Sequence, residues 1–218
     1  MNPGDYDAWY DTPRGRWIGE TEHELLLRLL EPRSGDRVVD VGCGTGWFTR
    51  RLAALPGLHV TGVDVDAEWL AFARSRDARS AYLQADARAL PFADGSVDRT
   101  VSVAALCFVA DWHRALKEIA RVTRSRFVVG VLNRRSLLWR AKGRDGGSGA
   151  YRGAYWHTTS ELREAIAGLP VHDVRFRSAV FLPSGSPVAR IADRMLPSWL
   201  IWGGFTVVSA TMASGRAR

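Results

Sequence analysis

Three short stretches of the chain bring together residue types that could hold a ligand, and a fourth offers a group that could move a proton. The first is Asp40-Val41-Gly42-Cys43-Gly44-Thr45-Gly46, which follows Val38-Val39. An apolar run here ends in a carboxylate and passes through alternating glycines. Glycine lacks a Cβ, so such a stretch can turn at positive φ and bring backbone N–H groups close to a ligand at the start of a helix. A dinucleotide fingerprint counted from Gly42 requires glycine at position 47, where Trp47 stands, so the spacing is Asp-x-Gly-x-Gly-x-Gly instead. The second is Gly62-Val63-Asp64-Val65, with Asp64 eighteen residues after Gly46. A carboxylate at a strand tip has two acceptor oxygens for the vicinal hydroxyls of a ribose. By itself Asp64 suits a nicotinamide dinucleotide equally well. The third is Gln84-Ala85-Asp86-Ala87, and the fourth is His157, a candidate general base that is neutral near pH 7. A packing or cap-proximal histidine is the competing reading of His157, and His113 is a second, weaker candidate.

These residues need a scaffold in which strands end and helices begin at one edge. Short β-branched runs alternate with helical patterns, as in a parallel sheet covered by helices. The spacing predicts strands over 37–41, 58–63, 81–84, 99–103, 126–132, 171–182 and 205–213. It predicts helices over 20–30, 46–55, 67–75, 112–122 and 188–196, and Thr158 with Glu161 forms a capping box for one more. The stretch 143–153 carries five glycines among polar residues and reads as a mobile connection.

The motif Asp40-x-Gly42-x-Gly44-x-Gly46 resembles motif I of the class I S-adenosylmethionine-dependent methyltransferases. Phe92 through Val122, ending in Arg114-Ala115-Leu116-Lys117-Glu118-Ile119-Ala120-Arg121-Val122, is similar to the small-molecule branch of that family known as type 11. The usual Pro-Gly-Gly after that helix is replaced by Arg124-Ser125-Arg126, which leaves the cofactor positions untouched. The resemblance covers Val38 to Asn133. It implies a Rossmann-like, doubly wound sheet of seven strands with the last antiparallel and helices on both faces. It implies the methionine end of S-adenosylmethionine near Asp40, Gly42 and Ala104, the ribose on Asp64 with Val65 beside it, and the adenine amine on Asp86 with the Ala87 N–H facing the ring. A residue from the leading segment often closes such a site, and Tyr10, Arg14 and Trp17 are the candidates. The product would be S-adenosylhomocysteine.

The length of 218 residues fits one domain, divided into a leading cap and helix (1–35), a cofactor half (36–133) and a substrate cap with closing strands (134–218). The net charge of +7 splits into −5 through Asp111 and +12 after it. With only Lys117 and Lys142 as lysines, that basicity points to an anionic acceptor or a solvated arginine surface rather than to nucleic acid. Nine tryptophans, most of them outside the cofactor half, suit an aromatic acceptor or simple packing. Cys107 lacks the preceding proline of a cytosine-methylating nucleophile, and no Asp/Asn-Pro-Pro-aromatic tetrapeptide of a base-flipping enzyme follows the fourth strand. Two cysteines, no apolar leader and no uninterrupted apolar span are the expectations for a cytoplasmic chain, and no His/Asp/Glu spacing suggests a metal. An NAD(P)-dependent oxidoreductase and a non-catalytic basic binding module are the alternatives. The oligomeric state is not legible.

Overall fold

A computed structural model describes residues 2–213. Seven strands form one sheet: β1 (Arg37–Val41), β2 (His59–Asp64), β3 (Ala81–Gln84), β4 (Val97–Val103), β5 (Thr123–Leu132), β6 (Val171–Ala179) and β7 (Phe205–Met212). Their order is β3-β2-β1-β4-β5-β7-β6, and β7 alone runs antiparallel to its neighbours. The chain leaves β1 toward β2 and β3, then returns to lay β4 on the other flank of β1. Ligands bind outside the carboxyl ends of strands at such a reversal. Both the doubly wound sheet and the antiparallel last strand are as expected.

Eight helices cover the sheet: α1 (Pro3–Trp9), α2 (Pro13–Leu30), α3 (Trp47–Ala53), α4 (Ala67–Arg76), α5 (Trp112–Val122), α6 (Leu137–Lys142), α7 (Thr159–Ala167) and α8 (Pro187–Met195). Alternate strand residues point to opposite faces. Val39 and Val41 of β1 therefore join one core with α5, α6 and α7, while Val38 joins another with α2 and α3. Gly130 of β5 lies under Phe205, whose ring leaves no space for a Cβ there.

The leading segment differs from the reading of the bare pattern. α2 begins at Pro13 rather than near residue 20, because Thr12 accepts from the Gly15 N–H (3.0 Å) and proline is pre-shaped for the first turn. α1 precedes it, capped by Asn2. The glycine-rich stretch 143–153 also holds more structure than its composition suggests: it follows α6, which Ser136 caps, and its Gly149–Tyr151 forms a 3-10 turn. Among the described residues, no helix is long and apolar enough to cross a membrane.

Candidate active site

The glycine stretch leaves β1 at the reversal point. Gly42, Gly44 and Gly46 all adopt positive φ (+73°, +54° and +76°), which side chains with a Cβ rarely tolerate. A Cβ on Gly42 would sit 2.2 Å from that of Ala105, just beyond β4, so the close approach demands glycine. The Gly42 and Cys43 N–H groups donate to the Val63 carbonyl (2.7 and 2.9 Å), which hangs the loop on β2. Asp64 completes this tie: Oδ2 accepts from the Gly44 N–H (2.8 Å) and Oδ1 from the Asp66 N–H (3.0 Å). A carboxylate has about four acceptor positions, so Asp64 keeps lone pairs for a diol. Val65, next along, is exposed.

Asp40 lies beneath the loop, almost wholly buried, and accepts from the Thr49 hydroxyl of α3 (2.7 Å). Burial raises its pKa to about 7, opposed by the Thr49 bond and assisted by the nearby charge of Asp64. Among the described residues, the buried Thr45 hydroxyl in the same loop has no partner. The loop, a carboxylate with acceptor positions to spare and the orphaned hydroxyl together fit a nucleoside cofactor.

Asp86 is at the outer end. It accepts from the Arg88 backbone N–H (2.8 Å) and pairs with the Arg88 guanidinium (2.6 Å), which hold its pKa down to about 2. Arg88 therefore covers the carboxylate in the direction where the resemblance puts an adenine amine. Ala87 beside it is half-buried. Ala104 takes a left-handed conformation (φ +55°) and opens the 3-10 turn Ala105–Phe108 at the end of β4. Cys107 in that turn is buried, accepts from the Leu132 N–H (3.2 Å), and has its thiol pushed up to about 12 by burial, so it behaves as packing rather than as a nucleophile.

The leading segment forms the roof. Tyr10 stacks on Trp47, the residue after the last loop glycine, with ring centroids 4.3 Å apart and planes 18° from parallel. Tyr6 lies 5.1 Å from Trp69, whose ring borders Gly44. The Arg14 guanidinium donates to the Pro183 carbonyl (2.8 Å), and Trp17 is half-buried against the α2 and α3 core. Asp7 of α1 pairs with Arg50 (2.8 Å), which also donates to the Thr45 carbonyl (2.6 Å), so α1 is anchored to the loop itself.

One residue in this roof went unnoticed in the sequence. The buried face of α2 carries Gly15, Ile18, Gly19, Leu25, Leu26, Leu29 and Leu30, and Glu22 falls in the middle of that stripe. Loss of water and the neighbouring Asp193 push its carboxyl up to about 8. Its charge in turn raises the pKa values of Tyr6, Tyr10 and Tyr151, after the larger effect of their burial, so the four groups lie within electrostatic reach of one another. A helix taken to begin at residue 20 hides the stripe; extended to Pro13, the 3–4 spacing marks Glu22 as its one acid.

His157 lies elsewhere. It follows β5, where its N–H donates to the Leu132 carbonyl (2.9 Å) and its own carbonyl accepts from Arg134 (2.9 Å). Its ring meets Trp112 edge-on at 4.7 Å in a cleft between α5 and α7. Burial depresses its pKa to about 4. Among the described residues, no group of three or more His, Cys, Asp or Glu could hold a metal.

Residues 39–128 match the model of a methyltransferase domain. A malonyl-[acyl-carrier protein] O-methyltransferase of Erwinia pyrifoliae is 40% identical over 128 residues, spanning 56% of this chain and 48% of that protein. An uncharacterised protein of Mycobacterium tuberculosis is 32% identical over 188 residues, 83% of this chain and 62% of that one. The chain thus spans about half to three-fifths of the length of these relatives. A solved structure from Thermotoga maritima, described as an S-adenosylmethionine-dependent methyltransferase and possible histamine N-methyltransferase, is similar with a TM-score of 0.75 and 26% identity, covering 95% of both chains.

Proposed function

We propose that this chain, whose residues 39–128 match the model of a methyltransferase domain, transfers the methyl group of S-adenosylmethionine to a small-molecule acceptor by in-line displacement. S-adenosylhomocysteine is the product. The observation that carries this reading is the loop of three positive-φ glycines tied to Asp64. In this proposal Gly42, Gly44 and Gly46 admit the cofactor against the backbone, Asp64 and Val65 take the ribose, and Asp86 and Ala87 take the adenine. Asp40 and Ala104 lie toward the methionine end, and Tyr10, Arg14 and Trp17 close the site. Chain 1–218 acts as one domain in this reading.

When bound, the cofactor supplies an electrophilic methyl group on a sulfonium whose charge disappears as the methyl moves. The protein's task is then alignment and exclusion of water, which can be worth roughly 7–11 kcal/mol without any covalent enzyme intermediate. Tyr6 packs on Trp69 and Tyr10 on Trp47, both beside the glycine loop, and Tyr151 lies within electrostatic reach of Glu22 and Arg14. Their rings favour a flat acceptor of aromatic character. For an anionic one, Arg14 is the guanidinium at hand. Some arginines of the basic half are engaged in ion pairs instead: Arg124 with Asp98, and Arg126 and Arg175 with Glu31 and Asp173.

Of the two groups suited to accept the acceptor's proton, Glu22 lies within electrostatic reach of Tyr6 and Tyr10 beside the glycine loop, while His157 lines the cleft between α5 and α7. We therefore assign the base to Glu22 ahead of His157. Two free cysteines support a cytoplasmic location.

Calorimetry with S-adenosylmethionine, S-adenosylhomocysteine and NADH tests the reading. Binding of both adenosyl compounds without NADH is the expected result. Silence at millimolar S-adenosylhomocysteine overturns it, NADH binding favours an oxidoreductase, and salt-sensitive nucleic-acid or vesicle binding without methyl transfer favours a binding module.

A further inference from the structure

Exposed apolar side chains are concentrated in one short stretch. Val188, Ile191, Met195, Leu196, Trp199 and Trp202 are 39–78% exposed, and they make up half of the twelve large apolar side chains exposed among the described residues. Patches of this kind on a folded surface mark contact with a partner or a membrane. Val188, Ile191 and Met195 stand three and four positions apart on α8 and so share one helical face, while Ala189 is buried on another. Asp193 turns inward, its carboxylate accepting from the Val180 and Phe181 N–H groups (3.0 and 2.8 Å). α8 thus sets its one acid against the protein and an apolar stripe toward water, the reverse of an ordinary surface helix. The stretch is nevertheless fastened in place: Arg190 donates to the Pro13 carbonyl (3.0 Å), and the Ser178 N–H to the Ser198 carbonyl (2.7 Å).

The charge around this stripe has one sign. The Asn133 side-chain amide donates to the Ile201 and Gly203 carbonyls (3.1 and 2.9 Å), and Leu138 packs against Gly204, so the start of α6 adjoins the segment that carries Trp202. Leu137 and Arg140, three positions apart on α6, are both exposed. Segments 134–144 and 187–202 together contain seven basic residues and one acid, the inward Asp193. Among the described residues, only Arg134 of the seven has an ion pair, with Glu161.

The occupant must therefore accept apolar side chains and answer cations at once. In the interface of an anionic bilayer, tryptophan rings sit at headgroup level, an apolar stripe reaches the acyl boundary and arginines meet lipid phosphates. A second copy of the chain is a poorer match, because this face against itself opposes seven cations to seven. An acidic protein surface answers the arginines but leaves the apolar stripe facing charge.

We propose that α8, the segment 197–202 and the start of α6 form a docking face for an anionic membrane surface, on which the chain lies without crossing it. Arg190 on the Pro13 carbonyl and Arg14 on the Pro183 carbonyl tie this face to the start of α2.

Sedimentation of the full chain with vesicles of phosphatidylcholine, with and without the anionic lipid phosphatidylglycerol, tests this. Anionic vesicles are expected to bind at least tenfold more tightly than neutral ones, and less tightly in about 0.5 M salt, which shortens the screening length. Met195→Ser with Trp199→Ser should weaken binding at least tenfold, as should Arg140→Gln with Arg194→Gln. Val174→Ser, at an exposed apolar position on β6, should change nothing.

No sedimentation with anionic vesicles, or equal sedimentation with neutral ones, overturns the proposal, and so does unchanged binding in either paired variant. Polyglutamate binding as tight as vesicle binding, and insensitive to Met195→Ser with Trp199→Ser, indicates an acidic protein instead. Dimerisation without vesicle binding, abolished by that same pair, indicates a second copy. Either outcome overturns the lipid assignment. If the paired apolar variant melts early, Ile191→Ser takes its place with the same criterion. Failure of S-adenosylhomocysteine to bind counts against the methyl-transfer reading and leaves this test intact.

Discussion

Asp64 holds the Gly44 N–H at 2.8 Å, so the acid at the tip of β2 supports the glycine loop while it presents its remaining lone pairs to a ligand. In the proposed function one side chain thus shapes the loop and binds the molecule the loop admits. Asp64→Ala is expected to raise the Kd for S-adenosylhomocysteine by at least tenfold, since each charge-assisted hydrogen bond lost is worth about 1.5–3 kcal/mol. Asp64→Asn, which keeps one acceptor oxygen, should fall between the two. Calorimetry measures both, and an Asp64→Ala protein with unchanged affinity removes Asp64 from the cofactor site.

The outer acid calls for a different comparison. The Asp86–Arg88 pair is close to half exposed, and pairs of this kind contribute about 0–1 kcal/mol. Arg88→Ala should leave the melting temperature nearly unchanged and bind S-adenosylhomocysteine as well as or better than the parent, because the carboxylate is freed. Asp86→Ala should weaken binding. A large loss of affinity in Arg88→Ala would show that the guanidinium, not the carboxylate, meets the adenine.

Asp40 makes stability depend on pH. Its pKa is raised from the ordinary carboxylate value to about 7 in the folded chain. Between those values the folded state holds a proton that the unfolded chain has released, so the stability is present in acid and is lost as pH rises through 7. Asp40→Asn cannot ionise, and its melting temperature should decline less between pH 5 and pH 8, by a margin on the order of 2 kcal/mol. Parallel melting curves for the two proteins would refute the raised pKa.

Glu22 shows the same sign over a higher window, with stability falling as pH rises toward 8. Its environment comprises Tyr6, Tyr10, Tyr151 and Asp193. If the carboxylate takes the acceptor's proton, turnover should rise up to about pH 8, and Glu22→Gln should lose both that limb and roughly 10²-fold or more in rate. Cofactor affinity should stay within about threefold. A variant with the parental pH profile relieves Glu22 of the role.

Tyr10 tests the roof. Its hydroxyl meets that of Tyr6 at 3.5 Å, a long contact, whereas its ring stacks on Trp47 at 4.3 Å. Tyr10→Phe should therefore cost less than about 1 kcal/mol in thermal unfolding. Tyr10→Ala loses a buried ring and should cost about 3–5 kcal/mol. Cofactor retention should follow the ring and not the hydroxyl.

Much of the site was readable from the chain alone because its parts are local. The loop glycines, Asp40 and Asp64 sit at the end of one strand and the tip of the next, where backbone conformation and side-chain direction follow from short spacing. The boundaries of β1, β3 and α5 were legible for the same reason, as periodicity and turn residues act within a few positions. The start of α2 was not, since its cap at Thr12 lies more than three turns before the leucine stripe that opens at Leu25.

What tertiary structure decided is which distant residues share a space. Glu22 and Tyr151 are brought within electrostatic reach of each other, Arg88 pairs with Asp86, and His157 is placed beside the end of β5 in a tryptophan-lined cleft. The composition could count nine tryptophans and a basic second half, yet not tell which rings face a cavity or which arginines are already paired. Those outcomes depend on the packing of helices against both faces of the sheet, a property of the whole fold that no local spacing encodes.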